Sequence, residues 1–491
     1  MQRVIPAKRI ATVLNPPLKG GADPTYLQLS RGLSSAISDG RIEAGARLPS
    51  ERELTRAMPL SRTTVTRAYA DLRERGYLAT RRGSGSVVQL PNVPGGRIDH
   101  LLAPAGLQSP DSDLIDLSCT APLGNSGLAA VYAAALTRLD AYLPGSGYFP
   151  SGLPVLREQI AAWHRRRGLP TTADQILVTT GALSAVTLAL RTVLGAGDRV
   201  VLESPTYPNV IGSLQGTTAR LVAHPLDQSR PGDEWDPDGF DTLLRQIGAR
   251  AAYLIPDFHN PTGMLMDAQQ RSRIGASLRR NRVVPVIDES LAELALEPDI
   301  AMPDSLAVHV PDAIVVGGLS KTFWGGLRVG WLRAPQGLIA ELVRQRLRYD
   351  LGVPVLEQLV ATDLLQHGRD LADANLQALR LGRSRMLAQL AEHLPDWRMR
   401  APVGGLSVWC ELPETGATAL AAAADRHGLR LVPGPVFAPG GGLDRWLRIP
   451  FLLPPGRVDQ VCPRLARAWT EVVSAPKSAI SLRADMQPLI A

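Results

Sequence analysis

Lys321 stands where a nucleophilic amine would be useful. The stretch Val315–Trp331, VVGGLSKTFWGGLRVGW, leaves an apolar strand end and passes two glycine pairs, with the lysine between them. Glycines at such a place let backbone approach a ligand closely. Desolvation there lowers the pKa of an amine, and a neutral amine condenses with an aldehyde to an imine. A lone Ser-Lys pair on a Gly-rich loop reads better as a surface lysine, so the chemistry depends on companions elsewhere. Asp288 ends the apolar run Val283–Ile287, and a carboxylate buried there requires a cationic partner, which a protonated ring nitrogen would supply. Asn260, in His259-Asn260-Pro261-Thr262-Gly263, can donate to a phenolate oxygen, although Asn-Pro-Thr-Gly is also a good plain turn. Tyr207 follows Glu203-Ser204-Pro205-Thr206 and suits either stacking on an aromatic ring or a turn in the core. Gly181-Ala182-Leu183 open a helix, where free amides bind phosphate, and Arg328 can grip the same group.

These residues need strand ends to hold them. Ile176–Thr179, Arg199–Glu203, Ala252–Ile255, Val283–Ile287 and Ile314–Val316 read as short buried strands. Amphipathic helices such as Ser184–Leu194 and Ala268–Arg280 lie between them. This alternation predicts a mostly parallel α/β sheet, which gathers ligands at the carboxyl ends of its strands. Every residue named above falls at such an end.

The first hundred residues are different. They hold 16 lysines and arginines against 8 acidic residues, while the rest of the chain holds 37 against 38. The whole basic surplus of a chain with net charge +7 lies there, and it points to a polyanion partner for that part alone. Leu29, Leu33 and Ile37 predict a helix near Tyr26–Ser38. Ser50, Glu51 and Glu53 open a second helix. Ser61 caps a third, with Val65, Tyr69 and Leu72 facing inward and Arg62, Thr63, Thr66 and Arg67 outward. Two short strands, Tyr77–Thr80 and Ser86–Gln89, flank a basic tip, Arg81-Arg82-Gly83-Ser84-Gly85. Three short helices and a basic hairpin make a winged helix-turn-helix. Its helix N-terminus would enter the major groove, and its tip would reach the minor groove or backbone of double-stranded DNA.

Composition narrows the remaining classes. The three cysteines, Cys119, Cys410 and Cys462, are far apart and odd in number, which argues against a disulfide framework or zinc site and for a reducing cytoplasm. No signal-peptide pattern opens the chain, and no apolar run reaches the ~20 residues of a membrane span. Leu90–Asp113 is rich in Pro, Gly, Ser and Asp and reads as a linker. The expected organisation is therefore a winged helix-turn-helix over 1–89, a linker over 90–113, a large domain over 114–475 and a loosely packed tail over 476–491.

The string LPSERELTRAMPLSRTTVTRAYADLRERGYLATRRGSGSVV resembles the GntR-family DNA-binding domain along its whole length. That resemblance implies that Arg52, Arg62, Thr63, Thr64 and the wing glycines Gly83 and Gly85 contact operator DNA. Thr66 stands where many relatives have arginine, which leaves base preference open. From Ile115 to Val473 the motifs look like those of fold-type I pyridoxal-phosphate aminotransferases. The resemblance implies Lys321 as the Schiff-base lysine, Asp288 as pyridinium partner, Asn260 as the O3′ partner and Tyr207 as the stacking residue. Gly181, Ala182, Leu183 and Arg328 would hold the phosphate. Tyr148 would reach the phosphate of a neighbouring subunit, and Arg448 would hold a substrate α-carboxylate. Two departures stand out. Asp288-Glu289-Ser290 replaces the Asp-x-Tyr of many relatives, and Leu183 offers only its amide where they have Gln or Ser.

The two parts together resemble the MocR subfamily of transcription regulators. The resemblance implies a PLP-dependent regulator that senses an amino acid, an amine or PLP itself, built as a domain-swapped homodimer. A working aminotransferase that carries a DNA-binding domain remains the alternative, and a DNA-binding protein with a vestigial PLP fold is a third reading.

Overall fold

The structure, a computed structural model, describes residues 5–14, 24–38, 42, 46–58, 60–74, 77–81, 85–88, 113–227, 234–454 and 456–474. The linker expected at 90–113 lies outside them except for Asp113, and the tail expected at 476–491 lies outside them. Two compact units emerge, and each is described by itself.

The N-terminal unit holds helices α1 (Ala7–Val13), α2 (Thr25–Ser38), α3 (Glu51–Ala57) and α4 (Arg62–Glu74), then an antiparallel hairpin of β1 (Leu78–Arg81) and β2 (Gly85–Val88). The capping residues act as their types predict. Ser50 accepts the Glu53 amide while the Glu53 side chain accepts the Ser50 amide, a capping box that fixes where α3 begins. Ser61 Oγ accepts the Thr64 amide at 3.1 Å and starts α4. Val65, Tyr69 and Leu72 pack inward against Leu29, Leu33, Leu54 and Val88. The Tyr69 hydroxyl satisfies the Pro49 carbonyl at 2.9 Å and ties α4 to the start of α3. Helix α1 was not legible in the sequence: it is only seven residues long, and Ile10, fully buried, is its anchor.

The second unit starts with β3 (Ile115–Asp116). Its main sheet comprises β4 (Ile176–Thr179), β5 (Arg199–Ser204), β6 (Arg220–Pro225), β7 (Ala251–Leu254), β8 (Val284–Asp288), β9 (Ile314–Gly318) and β10 (Gly330–Arg333). The strand order is β4-β10-β9-β8-β7-β5-β6, and only β10 runs antiparallel to its neighbours. The mostly parallel sheet expected from the alternating pattern is therefore present. Three of its strands, β4, β7 and β10, are buried throughout, and β8 and β9 at all but one position, as apolar runs covered by helices on both faces must be. The helix over Ala268–Arg280 appears with the bounds read from the sequence, while the one expected at Ser184–Leu194 begins two residues earlier, at Ala182.

A smaller antiparallel sheet follows, from β11 (Arg398–Met399), β12 (Ser407–Glu411), β14 (Val432–Pro433) and β15 (Trp446–Pro450), in the order β11-β12-β15-β14. Between them β13 (Leu429–Arg430) runs parallel to β3, so the first strand of this unit is anchored by its last third. Helices Arg369–His393, Ala417–Arg426 and Val458–Ser474 contribute to one continuous core with this sheet.

Candidate functional site

A cavity of about 270 Å³ opens at the carboxyl ends of β7, β8 and β9. Lys321 lies on its wall, three residues past β9. Its Nζ donates to the Thr120 carbonyl at 3.2 Å. Burial lowers its pKa to about 8, and the guanidinium groups of Arg448 and Arg328 push in the same direction against the pull of Cys119 and then Asp288. Near neutral pH a useful fraction of this amine is therefore uncharged and able to attack a carbonyl.

Asp288, the last residue of β8, is 7 % exposed and faces the same cavity. Its Oδ1 accepts the Ser290 amide at 2.9 Å and its Oδ2 accepts the Tyr253 hydroxyl at 2.7 Å. Burial raises its pKa, and hydrogen bonds from Ser290 and Tyr253 together with the Lys321 charge act the other way. No arginine or lysine forms an ion pair with it among the described residues. A cationic ring nitrogen would fill that role.

The anion cup forms where the helix Ala182–Val193 meets the sheet. Gly181 caps that helix at φ +104° without a side-chain cap, leaving first-turn amides free as donors. A Cβ on Gly181 would come within 2.6 Å of Arg328 Nη2, so only glycine lets this guanidinium lie against the turn. Arg328, itself at φ +49°, donates to the Thr180 carbonyl at 3.0 Å. Gly330 of β10 is packed so closely that a Cβ there would meet Gly181 and Ala182 backbone at 2.5 and 2.6 Å. Ser320, beside the lysine, adds to the cavity wall a buried hydroxyl with no hydrogen-bond partner among the described residues. An oxyanion would satisfy it. Sequence reasoning alone assigned no role to Ser320 or Tyr253. Their signals were a hydroxyl directly before the lysine and a tyrosine in a strand adjacent to that of Asp288.

Tyr207 and Asn260 also line the cavity. The Tyr207 hydroxyl accepts from Asn209 Nδ2 at 2.9 Å, and burial pushes its pKa up to about 12, so it remains neutral. Asn260 Oδ1 lies 3.5 Å from Arg448 Nη1. That contact engages its amide oxygen, and the amide nitrogen is the group of this side chain that can donate.

Arg448 is placed differently. It is fully buried on β15 and belongs to the layer behind Asn260, not to the cavity wall. Its Nη2 donates to the Ser118 carbonyl at 2.6 Å, its Cζ lies 5.1 Å from the Phe437 ring centroid, and its Nε has no hydrogen-bond partner among the described residues. No carboxylate pairs with it among the described residues. Burial lowers its pKa to about 10, where it is still charged at neutral pH. Tyr148 lies outside the cavity and is 64 % exposed.

On the N-terminal unit, Arg52, Arg62, Thr63, Thr66 and Arg67 are exposed and Thr64 is half-buried. Two of them are tied to Glu51. The Thr66 hydroxyl donates to Glu51 Oε2 at 2.9 Å, and Arg62 Nε lies 3.9 Å from the same oxygen. Arg67 sits over the Tyr26 ring at 5.9 Å. The backbone of Arg81 and Gly85 pairs across the hairpin, while Arg82 and Gly83 lie outside the described residues.

Residues 112–465 match the aminotransferase class I and II family, and residues 25–88 match the bacterial regulatory proteins of the gntR family. This chain belongs to the MocR-type regulators, a GntR-family helix-turn-helix fused to an aminotransferase class I and II fold. Regulators of the same build are similar over most of their length. The uncharacterized HTH-type transcriptional regulator YdfD of Bacillus subtilis is 27 % identical, with 84 % of this chain and 90 % of that protein covered. The HTH-type pyridoxine biosynthesis transcriptional regulator PdxR of Corynebacterium glutamicum is 28 % identical, with 80 % and 85 % covered. Among solved structures, LysN, the α-aminoadipate aminotransferase of Thermus thermophilus, complexed with N-(5′-phosphopyridoxyl)-L-leucine, superposes with a TM-score of 0.66. It is 28 % identical, with 74 % of this chain and 93 % of that chain covered. Among the described residues of the MocR chain no helix is long and apolar enough to cross a membrane.

The residues present fit pyridoxal phosphate. An orphaned hydroxyl, a glycine-built helix start and Arg328 could hold its phosphate, with the buried Asp288 carboxylate and the lowered-pKa Lys321 on the same cavity.

Proposed function

We propose that this MocR protein binds operator DNA through its N-terminal domain and senses an amino compound through pyridoxal phosphate held in the large one. The observation that carries this reading is Lys321: a desolvated amine with its pKa lowered to about 8, on a cavity that also presents a buried carboxylate and a phosphate cup. Gly181, Ala182, Leu183, Arg328 and Ser320 would hold the phosphate. Tyr207 would cover the ring, Asn260 would donate to its phenolate oxygen, and Asp288 would pair with its nitrogen. When bound, pyridoxal phosphate supplies an aldehyde that condenses reversibly with amines. Lys321 is the chain's own amine for that exchange, and an effector amine competes with it.

Arg448 favours an effector that also carries a carboxylate, an amino acid. A buried guanidinium without a counter-ion has an unmet demand for an anion. For regulation, the bound effector must favour one arrangement of the DNA-binding domains over another.

The proposed extents are 1–89 for the DNA-binding domain, 90–113 for the linker, 114–475 for the effector domain and 476–491 for the tail. A domain-swapped homodimer is part of the reading. Exposed apolar residues support it, since they recur in two segments, at Leu123, Leu136, Leu143 and Tyr148 and again at Leu347, Tyr349 and Leu351. The segments touch where Gly352 packs on the Phe149 backbone. Exposed apolar residues gathered in this way mark protein interfaces.

The test is the visible absorbance of the purified protein with pyridoxal phosphate, followed by titration with amino acids and amines. A visible band that one amine depletes supports the reading; no band refutes the cofactor assignment. A band that no amine disturbs points to pyridoxal phosphate itself as the signal. The second reading, a working aminotransferase, is favoured by the completeness of the site. Multiple turnovers with an amino donor and a keto acid at ordinary enzyme rates would establish it.

A further inference from the structure

Asp288 owes its environment to a residue on the neighbouring strand. Tyr253 lies on β7, paired with Val286 of β8, and its hydroxyl reaches Asp288 Oδ2 at 2.7 Å. The tyrosine is fully buried and lines the same cavity. Burial and then the adjacent Asp288 charge push its own pKa well above the ordinary value, so it always acts as a donor here. The Ser290 amide holds Oδ1, so Tyr253 is the donor at the other oxygen. The other titratable groups acting on this carboxylate are Lys321 and Tyr207.

We propose that Tyr253 is a positioning residue for the cofactor's ring nitrogen, acting through Asp288: it keeps that carboxylate ionised and aimed so that the shared proton rests on nitrogen. The proposal rests on the cofactor reading above. A carboxylate taken out of water without an ion-pair partner tends to the neutral form, and donors to its charged form oppose that tendency. Phenylalanine would fill the same volume and offer no donor. The proton between ring nitrogen and Asp288 would then move to the carboxylate, and the ring would become a neutral pyridine. Ser290, which stands where many relatives place a tyrosine near the cofactor, holds Oδ1 and leaves Oδ2 to Tyr253.

The experiment uses full-length protein reconstituted with pyridoxal phosphate carrying ¹⁵N in the ring. The nitrogen resonance of the wild type is expected at the position of a protonated pyridine. In Tyr253→Phe it is expected to move most of the way to that of a neutral one. In an Asp288→Asn background the same substitution is expected to add nothing, because a residue that acts through Asp288 has no route without it. An unchanged resonance in Tyr253→Phe, or full additivity in the double variant, overturns the proposal. If the phenylalanine variant fails to fold, Tyr253→His returns a ring donor: a wild-type-like resonance supports the proposal and a neutral one overturns it. A wild type with no visible band at all refutes the cofactor reading itself. A visible band with an unmoved resonance refutes this inference alone.

Discussion

Lys321 shows how a common side chain becomes a reactive one. Burial removes the water that would solvate its ammonium, and two guanidinium groups add repulsion. Its lowered pKa sets the sign of the pH dependence. The amine is protonated and inert below about 8 and neutral above it, so the rate of cofactor capture should rise with pH through that value and level off. Stopped-flow absorbance over a pH series checks this. Arg448→Ala removes one of the charges that lower the lysine, so the midpoint should move upward. The same variant should keep the visible band yet lose its response to carboxylate-bearing amines, because only the buried cation is gone. A response that survives in Arg448→Ala would place the carboxylate elsewhere.

At the scale of elements, the site depends on close approach between a helix start and strand β10. Gly181, Gly330 and Arg328 occupy one another's space. Gly330→Ala would force a methyl into Gly181 and Ala182 backbone, which cannot rotate away as a side chain can. Overpacking of this kind costs about 1–3 kcal/mol. The variant should unfold at lower denaturant and bind the cofactor more weakly, readable from a chemical unfolding curve and a visible titration. The recognition helix α4 is set by contacts of a different kind. Glu51 of α3 holds Thr66 and lies beside Arg62, so the exposed face of α4 is partly ordered before any DNA arrives. Arg62→Ala should cost about 1–3 kcal/mol in specific operator binding and leave cofactor absorbance intact. Fluorescence anisotropy with operator and scrambled duplexes separates that loss from a general loss of phosphate attraction.

For the whole molecule, the two functions should be separable. Lys321→Ala should abolish the lysine-linked absorbance and leave operator binding measurable, since the helix-turn-helix has its own core built on Leu29, Leu33, Leu54, Val65, Tyr69 and Leu72. The apolar face at Leu123–Tyr148 and Leu347–Leu351 makes the dimer testable by sedimentation. A monomer at micromolar concentration would refute it, and Tyr148 would then have no partner site to complete.

The sequence by itself determined the two-part build, the alternation of buried strands with helices and the residue types that could do chemistry. Those signals are local: a capping box at Ser50, alternation of apolar runs and helices, a lysine between glycines. Ala268–Arg280 and Ile176–Thr179 were legible to the residue because caps and apolar runs mark both ends. Tertiary structure alone decided what meets what. It put Gly330 against Gly181 across 149 positions of sequence. It set Tyr253 on Asp288 through the pairing of β7 with β8, and it placed Arg448 behind Asn260 instead of on the cavity wall. It also built the small antiparallel sheet from strands of two to five residues, too short for a period to show. Contacts between distant strands depend on register and packing, and neither is written in any single stretch of chain.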